Sequence, residues 1–114
     1  MCGGCSVTDV SSILMHAAGL ITGTGWTQNA CARDFAGREV ECHLPSAMCF
    51  CICGAIDRAL IDLGHGRRCE LYEPITELFG GYKRLFAFND APGRSAVEVA
   101  NLLTVKAKAG AFVR

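Results

Sequence analysis

The run "AMCFCICGAIDRALIDLG" at 47–64 constrains this chain more than any other stretch. It is apolar from Ala47 through Ile56 except for glycine, and it is longer than an ordinary strand of about five or six residues. Pro45 and Ser46 are expected to open a helix here that runs to about Leu63, with Gly64 as its stop. Its first half is apolar on every side. In its second half Ile56, Ala59, Leu60 and Leu63 are expected to face inward, with Asp57, Arg58 and Asp62 toward water. A helix of this kind must be surrounded, so the rest of the chain is expected to pack around it.

Other segments supply that packing. Val7, Val10, Leu14, Ala17 and Ile21 recur at helical spacing after a Gly-rich lead-in at 1–6. Ser6 or Thr8 is a candidate cap for this first helix, and "GTG" at 23–25 is expected to end it. In "WTQNACARDFAGREVECHL" the centre, "DFAGREV", carries turn chemistry, because Asp34 can fold back on its own backbone and Gly37 accepts a positive φ. A short hairpin or extended segment is therefore predicted between the first two helices. "EPITELF" at 73–79 reads as a short helix closed by Gly80 and Gly81, "KRLFAF" at 83–88 as extended or loop, and "NDAPG" as a turn. Ser95 with Glu98 forms a capping box that starts the last helix, with Val99, Leu102, Leu103 and Lys106 along one face. Lys106 and Lys108 are placed in its final turn, where the helix dipole favours positive charge. The fold class expected is mainly α with a minor β part: one domain over 1–114, about four helices and a small hairpin.

Eleven basic side chains balance eleven acidic ones, so no long-range field steers the chain toward nucleic acid or an anionic membrane. The basic cluster "GHGRRC" at 64–69 reads as a solvated loop. With 51% hydrophobic residues the chain can bury a core unaided. The opening "MCGGCSVTDV" lacks a basic leader, and the apolar stretches are shorter than a membrane span. A cytoplasmic location is expected, where the eight cysteines stay reduced.

Cys49, Cys51 and Cys53 would share a face on a strand but diverge on a helix. On the helical reading they cannot converge on one metal and are expected to act as small core residues. The metal alternative joins Cys2 and Cys5 of "CGGC" either to Cys42 and His43 or to Cys49 and Cys53. The C-x-x-C bite suits zinc, but no second clean pair completes the motif. No cofactor is expected.

Three blocks carry a family resemblance: "GWTQNACARDFAGREV" at 25–40, "CFCICGAIDRAL" at 49–60 and "FNDAPGRSAVEVANLL" at 88–103. In order and spacing they resemble the DUF6197 family of small bacterial and phage proteins, over about three-quarters of the chain. Cys51 falls on that family's usual cysteine, whereas Cys49 and Cys53 stand where apolar residues are typical. Phe88 stands where a tryptophan often precedes Asn-Asp, and "MCGGC" has no counterpart. The resemblance implies a mainly helical fold and the motif residues Trp26, Thr27, Gln28, Arg33, Asp34, Asn89, Asp90 and Arg94. It implies no activity, and its phage members suggest a host-directed inhibitor, for example of a bacterial defence complex.

Catalysis needs a nucleophile with a base, paired carboxylates or a metal. His16, His43 and His65 are scattered, and a dyad of His43 or His65 with Cys42 or Cys69 has nothing to constrain it. Asp34 and Asp90 would pair only if their loops meet, and Arg33 and Arg94 are available to neutralise them. The function expected is a non-enzymatic binding module acting on another protein. A zinc protein and a small enzyme with a polar site at the two motif loops are the alternatives. Those loops, "WTQ" and "NDAPGR", are expected to adjoin as one polar patch over Trp26. The competing expectation is that Asn89 and Asp90 fix their own turn while Gln28 satisfies buried backbone.

Overall fold

The computed structural model describes residues 7–67 and 69–112, with side chains from 10 to 67 and 69 to 109. Among the described residues there are five α-helices and a small sheet: α1 Val7–Gly19, α2 Ile52–Asp62, α3 Tyr72–Glu77, α4 Tyr82–Asp90 and α5 Ala96–Phe112. The strands are β1 Ala32–Arg33, β2 Glu39–Val40 and β3 Cys49–Phe50, in spatial order β2-β1-β3 and antiparallel throughout. The architecture is mainly α with minor β.

Helix α2 is central and packs against α1, α3, α4 and β3. Ile52, Ile56 and Leu60 are fully buried along it, each contributing about 1.5–3 kcal/mol of hydrophobic stabilisation. Helices α1 and α5 form the most extensive pair, joined through Ile13, Leu14 and Ala17 on one and Val99, Leu103 and Ala107 on the other. The Ser11 hydroxyl also donates to the Ala107 carbonyl at 3.1 Å across this seam.

The hairpin expected between the first two helices is β1–β2, with Ala32 opposite Val40 and Arg33 opposite Glu39. The capping box is formed as well: Ser95 N–H donates to Glu98 Oε1 at 2.9 Å, and Glu98 N–H to Ser95 Oγ at 3.2 Å.

Several expectations need correction. The second helix starts at Ile52, not at Pro45–Ser46, because Cys49–Phe50 pairs with β1 as a strand. Cys51 is then the N-cap, with an extended backbone and its Sγ accepting from Gly54 N–H at 3.2 Å. Asp57 is 4% exposed and accepts from the Cys42 thiol at 3.4 Å, while Leu63 is 44% exposed, so their expected sides are reversed. Leu63 lies beyond the last helical turn, where the helical periodicity no longer fixes direction. "KRLFAF" is not extended but lies within α4, which also takes in Asn89 and Asp90, so the turn is confined to 91–93. The first helix does end at "GTG", but through a π-helical turn, Leu20–Thr24, whose C-cap is Gly25. Because α5 runs to Phe112, Lys106 and Lys108 precede its final turn. Thr8 lies within α1 and does not cap it, and the alternative cap, Ser6, falls outside the described residues.

Among the described residues no helix is long and apolar enough to cross a membrane.

Candidate functional site

The two motif loops meet, and Asn89 is the point at which they meet. It sits on the last turn of α4, fully buried, which a polar side chain tolerates only if its hydrogen-bonding capacity is filled. Its Oδ1 accepts from the Trp26 indole Nε1–H at 2.8 Å and from Ile52 N–H at 2.9 Å. Its Nδ2 donates to the Thr27 carbonyl at 3.0 Å and to Asp90 Oδ1 at 2.9 Å. The bond to Ile52 matters locally, since first-turn amides of a helix lack intrahelical partners. Asn89 and Cys51 therefore cap α2 together, one from a distant helix and one from the adjoining residue.

Gln28 closes the same joint from the other loop. Its Nε2 donates to the carbonyls of Asn89 at 2.9 Å and Ala91 at 3.0 Å, satisfying the end of α4. Asn29 adopts a left-handed φ of 62°, a conformation asparagine tolerates better than most residues, and its N–H donates to Asp90 Oδ1 at 2.9 Å. Arg33 braces the loop by donating to Thr27 Oγ1 at 2.9 Å and to the Gly37 carbonyl at 3.1 Å. Arg94 stacks on Phe88, its guanidinium carbon 3.8 Å from the ring centroid, and donates to the Phe88 carbonyl at 2.8 Å.

The expected adjacency of the loops is thus present, with Trp26 half-buried among them. The polar groups are directed at one another and at backbone. Asp34 and Asp90 do not form a carboxylate pair, since Asp34 is engaged in the hairpin tip and Asp90 with Asn29 and Asn89. Arg33 bonds to a hydroxyl and carbonyls, not to a carboxylate, while Arg94 lies 3.7 Å from Glu98 Oε2.

Asp34 builds the hairpin tip. Its Oδ1 accepts from Ala36 N–H and Arg38 N–H, each at 2.9 Å, and its Oδ2 pairs with Arg38 Nε at 3.0 Å. The backbone bond from Arg38 is the main cause holding its carboxyl below the ordinary carboxylate range. Gly37, at φ 86°, closes the turn. This fixed turn carries Phe35, which is 94% exposed. Sequence reading passed over Phe35, although its signal was present: an aromatic flanked by turn residues has no core to enter.

A second cluster adjoins β1, where the exposed Cys31 interacts with the buried thiols of Cys42 and Cys51. The Cys31 interaction, then burial, pushes both buried thiols far above their ordinary value. Both therefore stay protonated and unreactive at neutral pH. The histidines form no dyad with cysteine. His16 Nε2 lies 2.9 Å from Asp62 Oδ2, and His43 Nδ1 lies 3.3 Å from Glu41 Oε1 without hydrogen-bond geometry. Burial raises the Asp62 carboxyl, but the bonds from His16 and Arg58 outweigh it and the net shift is downward. Cys2 and Cys5 lie outside the described residues, and among the described ones no three His, Cys, Asp or Glu side chains are placed to hold a metal.

Fold and site together define a small helical domain whose two loop motifs are locked by a buried asparagine. Residues 6–109 match the family of unknown function DUF6197, and the chain belongs to that family. No curated protein and no solved structure matches it.

Proposed function

We propose that the chain is a non-enzymatic binding module that engages another protein through the hairpin tip at Phe35. The carrying observation is the contrast between the tip and its support. A phenylalanine that is 94% exposed is held by a turn in which Asp34 takes two backbone amides and an arginine. Ordering a loop on binding costs free energy, and a turn already fixed avoids that cost. Aromatic side chains in such positions are common anchors of interfaces.

In this reading the Trp26–Asn89 network is the support and not the contact surface. It joins the hairpin's base to α2 and α4, so the tip moves with the core. The protonated, core-packed thiols of Cys42 and Cys51 fit a reducing, cytoplasmic setting. The resemblance adds bacterial and phage chains as the source, and an inhibitor of a host defence complex as one form such a module takes.

A photo-crosslinking residue placed at position 35, and at the exposed Asn101 as control, tests the proposal in native lysate. A discrete crosslinked protein at 35 that is absent at 101, and competed away by unlabelled wild-type chain, supports it. Identical patterns at both positions overturn it.

A further inference from the structure

A cleft of about 480 Å³ opens between α3 and α4, with Glu70, Glu73, Tyr82 and Phe86 among its walls. It adjoins a second cleft of about 350 Å³ that reaches Asp90 and Asn29 of the motif joint, and the two share Tyr72 and Phe86. Among the described residues the charged groups lining both are carboxylates alone.

Tyr82 and Phe86 stand edge to face, with ring centroids 5.9 Å apart and planes at 89°. They are 47% and 39% exposed. An aromatic ring face carries partial negative charge and attracts a cation. Glu70 and Glu73 are exposed at the same cleft, and Asp90 accepts its two bonds on Oδ1. Ring faces and carboxylates therefore select the same ligand charge. An anion is repelled, and a purely apolar group would desolvate the carboxylates without return. A planar guanidinium meets both demands, since it stacks on rings and donates in a fork to carboxylates.

We infer that this cleft binds an arginine side chain of a partner polypeptide, held between the Tyr82–Phe86 rings and the Glu70–Glu73 carboxylates. The site is separate from the hairpin tip, and its test does not involve Phe35. It is tested by titrating the full chain with a Gly/Ser peptide carrying one central arginine, while ring-proton NMR signals of Tyr82 and Phe86 are followed. Saturable shifts are expected, with affinity reduced about tenfold or more when Glu70→Gln and Glu73→Gln are combined. Both positions are exposed, so the amide spectrum elsewhere should be unchanged. The same peptide with citrulline in place of arginine should shift nothing, and the lysine peptide should bind several-fold more weakly. Absent shifts, equal shifts with citrulline, or an undiminished response in the double variant overturn the proposal. Equal or tighter binding of the lysine peptide overturns the guanidinium assignment. Binding of free spermidine as tightly as the arginine peptide overturns the polypeptide assignment.

Discussion

Replacing Asn89 should show how much of the fold depends on one buried amide. In Asn89→Ala the indole N–H of Trp26, the amide of Ile52 and the carbonyl of Thr27 each lose a partner, while Asp90 Oδ1 keeps Asn29. Ile52 is fully buried and its amide is unreachable by water without opening the α2 terminus. A buried donor left unpaired costs about 1–3 kcal/mol. Two such donors, with the carbonyl partly recovered by solvent and a small void added, give about 3–5 kcal/mol. That is a large share of the 5–15 kcal/mol typical of a domain. Urea unfolding of both proteins, with equal slopes, measures it directly. Asn89→Asp refines the reasoning. It keeps an acceptor for Trp26 and Ile52 but turns a carboxylate toward Thr27 O and Asp90. Burial and the neighbouring charge raise that new carboxyl's folded pKa above its unfolded value near 4. The variant's stability is then lost as pH rises above about 4, so it should recover between pH 7 and pH 5 relative to wild type. A cost below about 1 kcal/mol for Asn89→Ala, or no recovery for Asn89→Asp, would refute the account of the joint.

Further outcomes follow from the packing. Gly54→Ala should cost about 3 kcal/mol or abolish folding, because a Cβ there collides with the Cys31 carbonyl; circular dichroism and urea melts decide it. Cys51→Ala should cost about 1–2 kcal/mol by removing the Sγ that caps Gly54 N–H, and Cys51→Ser, which restores an acceptor, should cost less by the same melts. Stability should also fall in alkali. Cys42 and Cys51 keep their protons in the folded state but ionise near 8.5 when unfolded, so the unfolded chain binds fewer protons and gains. Two thiols give a loss of about 2–3 kcal/mol between pH 8 and pH 9.5 under reducing conditions, and a flat profile would contradict their assignment.

Much of the architecture was legible where sequence chemistry is local. The Ser95–Glu98 box, the Asp34–Gly37 turn and the buried first turns of α2 each depend on residues near one another in the chain. Helix α4 was hidden because its two fully buried positions, Leu85 and Asn89, are one turn apart and one of them is polar. An asparagine interrupts the apolar stripe that marks an amphipathic helix, and only the distant partners Trp26, Thr27 and Ile52 justify burying it. The start of α2 was hidden for a related reason. Phe50 ends a buried strand and Ile52 begins a buried helix, so the run stays apolar across the change of period. Asp57 was expected at the surface because its Cys42 partner is 15 residues away. At the site, the meeting of the two loops was legible because both flank elements expected to pack together. The competing expectation that Gln28 satisfies backbone also holds, whereas the bonds of Asn89 to Trp26, Thr27 and Ile52, instead of to its own turn, were not legible.

The central claim is that the motif residues support a binding surface that lies beside them, at Phe35. Melting temperature and capture of the partner from native lysate by the immobilised chain, read together on wild type, Gln28→Ala and Phe35→Ser, test it most directly. The account predicts that Phe35→Ser melts with wild type yet loses the partner, since a side chain 94% exposed contributes little to the fold. It predicts that Gln28→Ala melts lower, having lost its bonds to the Asn89 and Ala91 carbonyls, and still captures the partner at temperatures where it is folded. The opposite pattern, with Gln28→Ala losing the partner at an unchanged melting temperature while Phe35→Ser retains it, would contradict the account and make the motif joint itself the contact surface.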